Sequence, residues 1–163
     1  MGGSGTQLDL CANEIYTEWA ACRYFFLYDD VIPALRELAA RGIKVGLISN
    51  SHRCLTSFQR HFELHGLIAA ALSSPEHGYL KPHPSIFESA LKLLGVPAAE
   101  SVMVGDSLTH DIAGACQVGM RAVLLARSGL PAGRPDGVPV IRSLVELPGV
   151  LSGMGAGNSN GSH

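Results

Sequence analysis

The sequence predicts an α/β domain with a parallel, doubly wound sheet. Short runs rich in β-branched residues alternate with longer segments in which apolar residues recur at helical spacing. Strands that are separated in this way by amphipathic helices pair in parallel. The chain has 163 residues, 47% of them hydrophobic, which is enough for one domain with a sizeable core. Polar residues follow several of the runs directly, at the sheet edge where ligands bind in open α/β folds.

The predicted elements follow one another from residue 13 to residue 147. Helical spacing at 13–23 leads into a dense aromatic patch at 24–28, and Asp29 or Asp30 caps the next helix. Glycines end the helices, because glycine readily adopts the left-handed conformation found there. We expect helices at 31–40, 55–64, 84–94 and 110–118, with a final helical turn at 143–147. We expect strands at 43–48, 68–72, 101–104, 121–126 and 139–141.

The composition excludes several classes of partner. A formal net charge of −2 offers no attraction to nucleic acid or to an anionic membrane surface, and no apolar run reaches membrane-spanning length. The four cysteines show no CxxC pair and no zinc spacing, which favours reduced thiols in a cytoplasmic protein. Residues 1–6 and 149–163 are rich in small polar residues and glycine. We expect both segments to be flexible and, in part, to be residues added for expression.

Two aspartates lie at the end of the strand predicted at 101–104. Asp106 follows Gly105 at the strand tip, and Asp111 comes five residues later at the start of a helical pattern. Two carboxylates delivered to one edge of a sheet suit a hard cation that takes oxygen ligands and keeps several waters. The alternative is that Asp111 only caps the helix.

Two more polar features follow predicted strands or lie in the loops beside them. Ser49 and Asn50 follow the strand at 43–48, and Lys81 stands in the segment GYLKPHPSIF. A serine hydroxyl and backbone N–H groups can bind phosphate oxygens, and a lysine can neutralise charge that develops on them. With a Mg²⁺ on the two aspartates, these residues predict phosphoryl transfer. The plainer alternatives are a serine that only ends a strand and a solvated lysine.

Three motifs carry a resemblance to a known family. LISNS, KPHPSIF and VMVGDSLTHDIAGACQVGMRAVLL resemble, in order, the second, third and fourth motifs of the haloacid dehalogenase-like (HAD) hydrolase superfamily. Over roughly residues 27–128 the chain is most similar to its phosphoglycolate phosphatase-like branch. The resemblance implies a Rossmannoid three-layer α/β/α fold with a parallel sheet.

The resemblance also assigns a role to each candidate residue. It implies that Ser49 and Lys81 are catalytic, and that they bind the phosphoryl group together with Asn50. It implies that Asp106 and Asp111 hold Mg²⁺. Because both aspartates are present, the resemblance favours a Mg²⁺-dependent phosphatase over a metal-free dehalogenase.

The first motif of the family is missing. That motif, a strand ending in DxDxT or DxDxV, supplies the nucleophilic aspartate and an acid–base aspartate, and no DxD occurs in this chain. The chain therefore resembles a family member cut inside its cap, with 7–28 a cap remnant or replacement segment and 29–148 the core. In the family fold the missing strand lies between the strands carrying Ser49 and Asp106. Its loss leaves those two strands roughly 9.5 Å apart.

Three candidates compete for that central position. Residues 6–10 (TQLDL) would bring Asp9 near the nucleophile position, and residues 24–28 would bring Asp29. The third candidate is direct pairing of the flanking strands, or a segment of a second chain. We favour neither aspartate as a replacement nucleophile, because a weak strand precedes Asp9 and because Asp29 is explained as a helix cap.

The expected function follows from what is present and what is missing. We expect a phosphatase for a small phosphorylated metabolite, impaired because an aspartyl-phosphate cannot form without the nucleophile. The alternative is a non-catalytic module that binds Mg²⁺ and phosphate, or that forms a homodimer through its aromatic patch. A receiver-like domain is a weaker third option, because no acidic cluster lies on an early strand.

Overall fold

The computed structural model describes residues 22, 25–129, 132–133 and 136–156 of the chain. The α-helices are α1 (Val31–Ala40), α2 (Leu55–His61), α3 (Ser74–His77), α4 (Pro84–Leu94), α5 (Gly114–Gln117) and α6 (Leu147–Ala156). The strands are β1 (Gly46–Ser49), β2 (Ala70–Ser73), β3 (Val102–Gly105), β4 (Arg121–Leu125) and β5 (Val140–Ile141). A π-helical turn (Leu108–Ala113) runs into α5, and 3-10 turns precede β3 and α6 (Ala98–Glu100, Leu144–Glu146). Residues 6–10 and most of the expected cap remnant lie outside the described residues.

The strands pair in parallel, as predicted, but they form two sheets. β1 pairs with β2 along its whole length, and β4 lies between β3 and β5. Within the described part of the chain, no strand joins β1 to β3. The option of direct pairing between the flanking strands is therefore wrong. Residues 25–28 form no strand either, so no strand among the described residues fills the central position.

Alternate side chains of β3 enter different cores. Val102 and Val104 pack in the core that contains Leu38 of α1. Met103 packs on the other face, in the core that contains Phe87 of α4. Since successive side chains of a strand point to opposite faces of its sheet, helices cover both faces of β3. This arrangement is the predicted three-layer α/β/α architecture.

Helix α4 packs against both sheets. Its buried residues Ile86 and Phe87 share one core with Ile48 of β1 and Leu72 of β2. Met103 of β3 belongs to the same core. The two sheets are therefore held side by side by a common helix, although no backbone hydrogen bonds between described strands join them.

Local residues determine both ends of α4, and its predicted bounds are confirmed. Pro84 occupies the first helical turn, where its missing N–H costs nothing. The His83 ring accepts a hydrogen bond from the backbone N–H of Ser85 at 3.3 Å. Gly95 ends the helix with φ of 66°, a left-handed conformation that favours glycine.

The C-terminal part of the core extends further than the sequence indicates. Residues 149–156, expected in a flexible tail, belong to α6, which begins at the buried Leu147. Arg41 donates a hydrogen bond to the carbonyl oxygen of Pro148 at 3.1 Å, and Arg121 donates one to that of Met154 at 3.0 Å. These tertiary contacts stabilise a helix that its glycine-rich composition disfavours.

The described helices are all too short or too polar to cross a membrane.

Candidate functional site

Four of the five predicted site residues lie at or after the C-terminal ends of two strands that belong to different sheets. Ser49 is the last residue of β1, and Asn50 follows it. Asp106 comes directly after β3, and Asp111 lies in the π-helical turn. Lys81 lies between these two groups in the chain, in the loop that joins α3 to α4. The structure brings three of the five into contact through this loop.

The ammonium group of Lys81 connects the two strand ends. Its Nζ lies 2.7 Å from Asp111 Oδ1 and donates a hydrogen bond to the carbonyl oxygen of Ile48 at 3.1 Å. The Lys81 side chain is only 12% exposed, and that of Asp111 only 6%. The alternative of a solvated lysine is therefore wrong. A charge pair this deeply buried persists only where each partner is neutralised by the other or by hydrogen bonds.

Asn50 holds the backbone on both sides of Lys81. Its Oδ1 accepts a hydrogen bond from the Lys81 backbone N–H at 2.7 Å, and its Nδ2 donates to the Lys81 carbonyl oxygen at 3.0 Å. The Ser49 hydroxyl accepts a hydrogen bond from the backbone N–H of Ser51 at 3.2 Å. The loop after β1 therefore positions Lys81 through Asn50, while Ser49 stabilises the turn of the loop itself.

Asp111 lies against the backbone at the end of β3. Its Oδ2 accepts a hydrogen bond from the backbone N–H of Ser107 at 3.0 Å. A Cβ atom at Gly105 would overlap the Asp111 side chain, so only glycine leaves room for this carboxylate. Ser107, and not Asp111, is the residue that caps the turn, because its hydroxyl accepts from the backbone N–H of His110 at 3.1 Å.

Asp106 is exposed, and it is separate from this buried pair. No described residue makes a hydrogen bond or an ion pair with its carboxylate. It lines a cleft of about 460 Å³ together with Tyr28 and residues 125–129. No group of three metal-ligating side chains occurs in the described ranges. A cation held here would therefore need oxygen ligands from substrate or water in addition to the two aspartates.

A second charged network lies beside that cleft, and sequence reasoning missed it. Of the two aspartates predicted to cap α1, Asp30 occupies the N-cap position. Its carboxylate, however, accepts no hydrogen bond from the backbone of the helix. It forms a bidentate ion pair with Arg127, at 2.8 and 2.9 Å. It also accepts hydrogen bonds from the Ser143 hydroxyl at 2.7 Å and from the backbone N–H of Leu144 at 2.8 Å.

This network changes the acidity of Asp30. Its donors, Arg127 foremost, hold the pKa of the Asp30 carboxyl well below its usual range. The same pairing raises the pKa of the Arg127 guanidinium. No local pattern indicates these contacts, because Asp30 and Arg127 are 97 residues apart in the chain.

Known proteins of one family resemble this chain in sequence and in fold. A family model for haloacid dehalogenase-like hydrolases matches residues 5–119. A haloacid dehalogenase-like hydrolase domain-containing protein 3 from Danio rerio is 32% identical over 146 residues, which are 88% of this chain and 60% of that protein. A glyceraldehyde 3-phosphate phosphatase from Methanopyrus kandleri is 38% identical over 106 residues, which are 64% of this chain and 45% of that enzyme.

A solved structure agrees with the family model. The crystal structure of a 2-haloacid dehalogenase from Pseudomonas syringae pv. Tomato DC3000 superposes with a TM-score of 0.83 at 31% identity. The match covers 94% of this chain and 65% of that one. The chain spans about half to three fifths of the length of the curated relatives it matches. It belongs to the haloacid dehalogenase-like hydrolases.

Proposed function

We propose that this chain carries the phosphate-binding and metal-binding part of a Mg²⁺-dependent phosphatase for small phosphate monoesters. The observation that carries the proposal is the ammonium group of Lys81, which is buried between the Asp111 carboxylate and the C-terminal end of β1. A fixed positive charge at the ends of two strands suits a phosphoryl group, whose charge grows during transfer. The name of the Methanopyrus kandleri relative, a phosphatase, supports the same class of substrate.

Each residue has a distinct role in this proposal. Lys81 donates to Ile48 and lies against Asp111, which leaves one of its three N–H groups for a phosphate oxygen. The Ser49 hydroxyl accepts from Ser51 and can donate its own proton to the phosphoryl group. Asn50 uses its amide on the Lys81 backbone, so we revise its expected role from binding substrate to positioning Lys81.

The two aspartates fit a magnesium ion. Both offer the hard oxygen donors that Mg²⁺ prefers, and Mg²⁺ commonly binds through one or two carboxylates while substrate phosphate and water complete its shell. The Asp106 carboxylate is exposed and free of described partners. Each Asp111 oxygen keeps a second lone pair beyond its contact with Lys81 or Ser107. When bound, Mg²⁺ supplies positive charge that polarises the phosphoryl group.

Catalysis by this chain alone is impaired in our proposal, because no DxD motif supplies a nucleophile. Asp29 is a poor replacement, since the structure places it in an exposed turn with no strand before it. Asp9 lies outside the described residues and stays a candidate.

A second candidate function is a non-catalytic module. The missing DxD motif favours it, and so does the division of the described strands into two sheets, with no described strand between β1 and β3. Such a module would bind Mg²⁺ and phosphate, or form a homodimer. In either case we propose a cytoplasmic protein whose partner is a small phosphorylated metabolite, with no nucleic-acid or membrane partner.

Hydrolysis of p-nitrophenyl phosphate with and without Mg²⁺ separates the two functions. The variants are Asp106→Asn and Asp9→Asn, with Asp136→Asn as a matched control because Asp136 is exposed and is not among the residues that line the cleft. Metal-dependent turnover that Asp106→Asn abolishes and Asp136→Asn retains would establish a phosphatase. Loss in Asp9→Asn as well would identify the nucleophile. Wild-type turnover no higher than that of Asp106→Asn, in folded protein, would reject the enzyme and leave the binding module.

A further inference from the structure

The cleft that contains Asp106 has an aromatic wall. Tyr28 is the one aromatic residue among the described residues that line the cleft. The tyrosine is 64% exposed. Leu125, Ala126 and Gly129 add apolar surface. A volume of about 460 Å³ is sufficient for a small organic ligand. The cleft therefore joins a carboxylate that is proposed to hold Mg²⁺ to an open aromatic ring.

The Tyr28 ring is supported from one side. The Arg127 guanidinium lies 3.9 Å from the ring centroid, in a cation–π contact. Arg127 is itself fixed by its two hydrogen bonds to Asp30, whose other partners belong to the segment after β5. The ring is thus held in place by a chain of contacts that ends in the core, and it loses little conformational freedom when a ligand stacks on it.

The same contacts decide which ligands this wall suits. Arg127 is the one cation among the described residues that line the cleft, and its charge is neutralised by Asp30. A second phosphate group would meet no free positive charge there and would face the Asp106 carboxylate. One face of Tyr28 is taken by the guanidinium, and the exposure of the ring leaves the rest open for a flat apolar group.

We propose that Tyr28 is a specificity-determining residue, whose open ring face stacks on the leaving group of a monophosphate ester with a planar, aromatic alcohol. The inference rests on the proposed function, since it places the phosphoryl group at Lys81 and the aspartates. It adds the chemistry of the other half of the substrate. Aryl monophosphates fit this wall, whereas aliphatic monophosphates gain nothing from it.

Binding measurements test the inference without requiring turnover. Phenyl phosphate, glycerol 2-phosphate and inorganic phosphate are titrated by protein-observed NMR into the whole chain in the presence of Mg²⁺. We expect phenyl phosphate to bind about three- to tenfold more tightly than glycerol 2-phosphate, the range that aromatic stacking provides. Tyr28→Ala should remove that ratio, and Tyr28→Phe should keep it. Affinity for inorganic phosphate should be the same in all three proteins.

The outcomes separate the inference from the proposed function. A ratio near one in the wild type, or a ratio that survives Tyr28→Ala, overturns the role of Tyr28. If inorganic phosphate does not bind but phenyl phosphate binds in a Tyr28-dependent manner, the proposed function fails and the aromatic wall stands. Absence of binding by all three probes overturns both.

Discussion

Replacing Asp30 by asparagine tests the charged network between α1 and the segment after β5. The substitution keeps the shape of the side chain and removes its charge. Oδ2 of Asp30 accepts from three donors, and Oδ1 accepts from Arg127 alone. An amide has only one acceptor atom, so its nitrogen must face a donor in either orientation. At least one hydrogen bond to Arg127 and the ion pair are lost together.

The structure bounds the expected loss of stability. The Asp30 side chain is only 12% exposed, so solvent screens the pair weakly. A hydrogen bond to a charged group contributes roughly 1.5–3 kcal/mol. We therefore expect Asp30→Asn to lower the free energy of unfolding by about 2 kcal/mol, which in a domain of this size corresponds to about 4–8 °C in Tm. Asp29→Asn is the matched control, because Asp29 is adjacent, exposed and without a described partner.

The difference in stability between wild type and Asp30→Asn should decrease at acidic pH. The network lowers the pKa of Asp30 in the folded state, whereas an aspartate in the unfolded chain has a pKa of about 4. The stability that Asp30 contributes is thus fully present above the unfolded pKa and is lost as pH falls below it. The difference between wild type and Asp30→Asn should be constant from pH 8 to pH 5 and should shrink below about pH 4.

Urea unfolding of the three proteins, followed by circular dichroism at several pH values, measures both quantities. Equal stability of Asp30→Asn and Asp29→Asn at pH 7 would refute the assignment of a structural role to the network. A difference that stays constant down to pH 3 would refute its electrostatic origin.

Three further substitutions test other parts of the structure. Gly105→Ala should displace the Asp111 carboxylate and weaken Mg²⁺ binding at least tenfold by calorimetry, with a loss of roughly 1–3 kcal/mol in stability from overpacking; unchanged Mg²⁺ affinity would contradict the proposed metal site. Gly149→Ala should stabilise the protein by about 0.5–1 kcal/mol, because the residue lies in α6 with nothing within 4 Å of the added methyl group; a lower Tm would show that α6 is not helical here. Lys81→Met should destabilise the fold by roughly 3 kcal/mol in urea unfolding, because it leaves a buried carboxylate without its counter-charge, and adding Asp111→Asn should restore part of that loss; two losses that simply add would argue against the pair.

Features determined by neighbouring residues could be predicted from the sequence. The bounds of α4 follow from Pro84 at one end and Gly95 at the other, and the parallel strands follow from the alternation of elements. In contrast, α6 contains three glycines and a proline, a composition typical of a loop, and its contacts with Arg41 and Arg121 overcome this local preference.

The candidate site, too, was predictable only in part from the sequence. The positions of Ser49, Lys81 and the two aspartates at or beside predicted strand ends led us to group them in one site. The contact of Lys81 with Asp111 agrees with that grouping. Sequence alone did not reveal that Asn50 holds the Lys81 backbone, because side-chain geometry across 31 residues decides it. The Asp30 network depends on contacts across more than 90 residues, which no local pattern records.

The division of the strands into two sheets has a consequence for folding. β1 and β2 come from residues 46–73, and the other strands come from residues 102–141, so each sheet is assembled from its own continuous stretch of chain. Units of this kind can open separately, and α4, which packs on both, is the element that couples their opening. Amide hydrogen exchange should therefore report two distinct opening free energies. A strand inserted between β1 and β3 would hydrogen-bond to both and merge the two units into one cooperative domain.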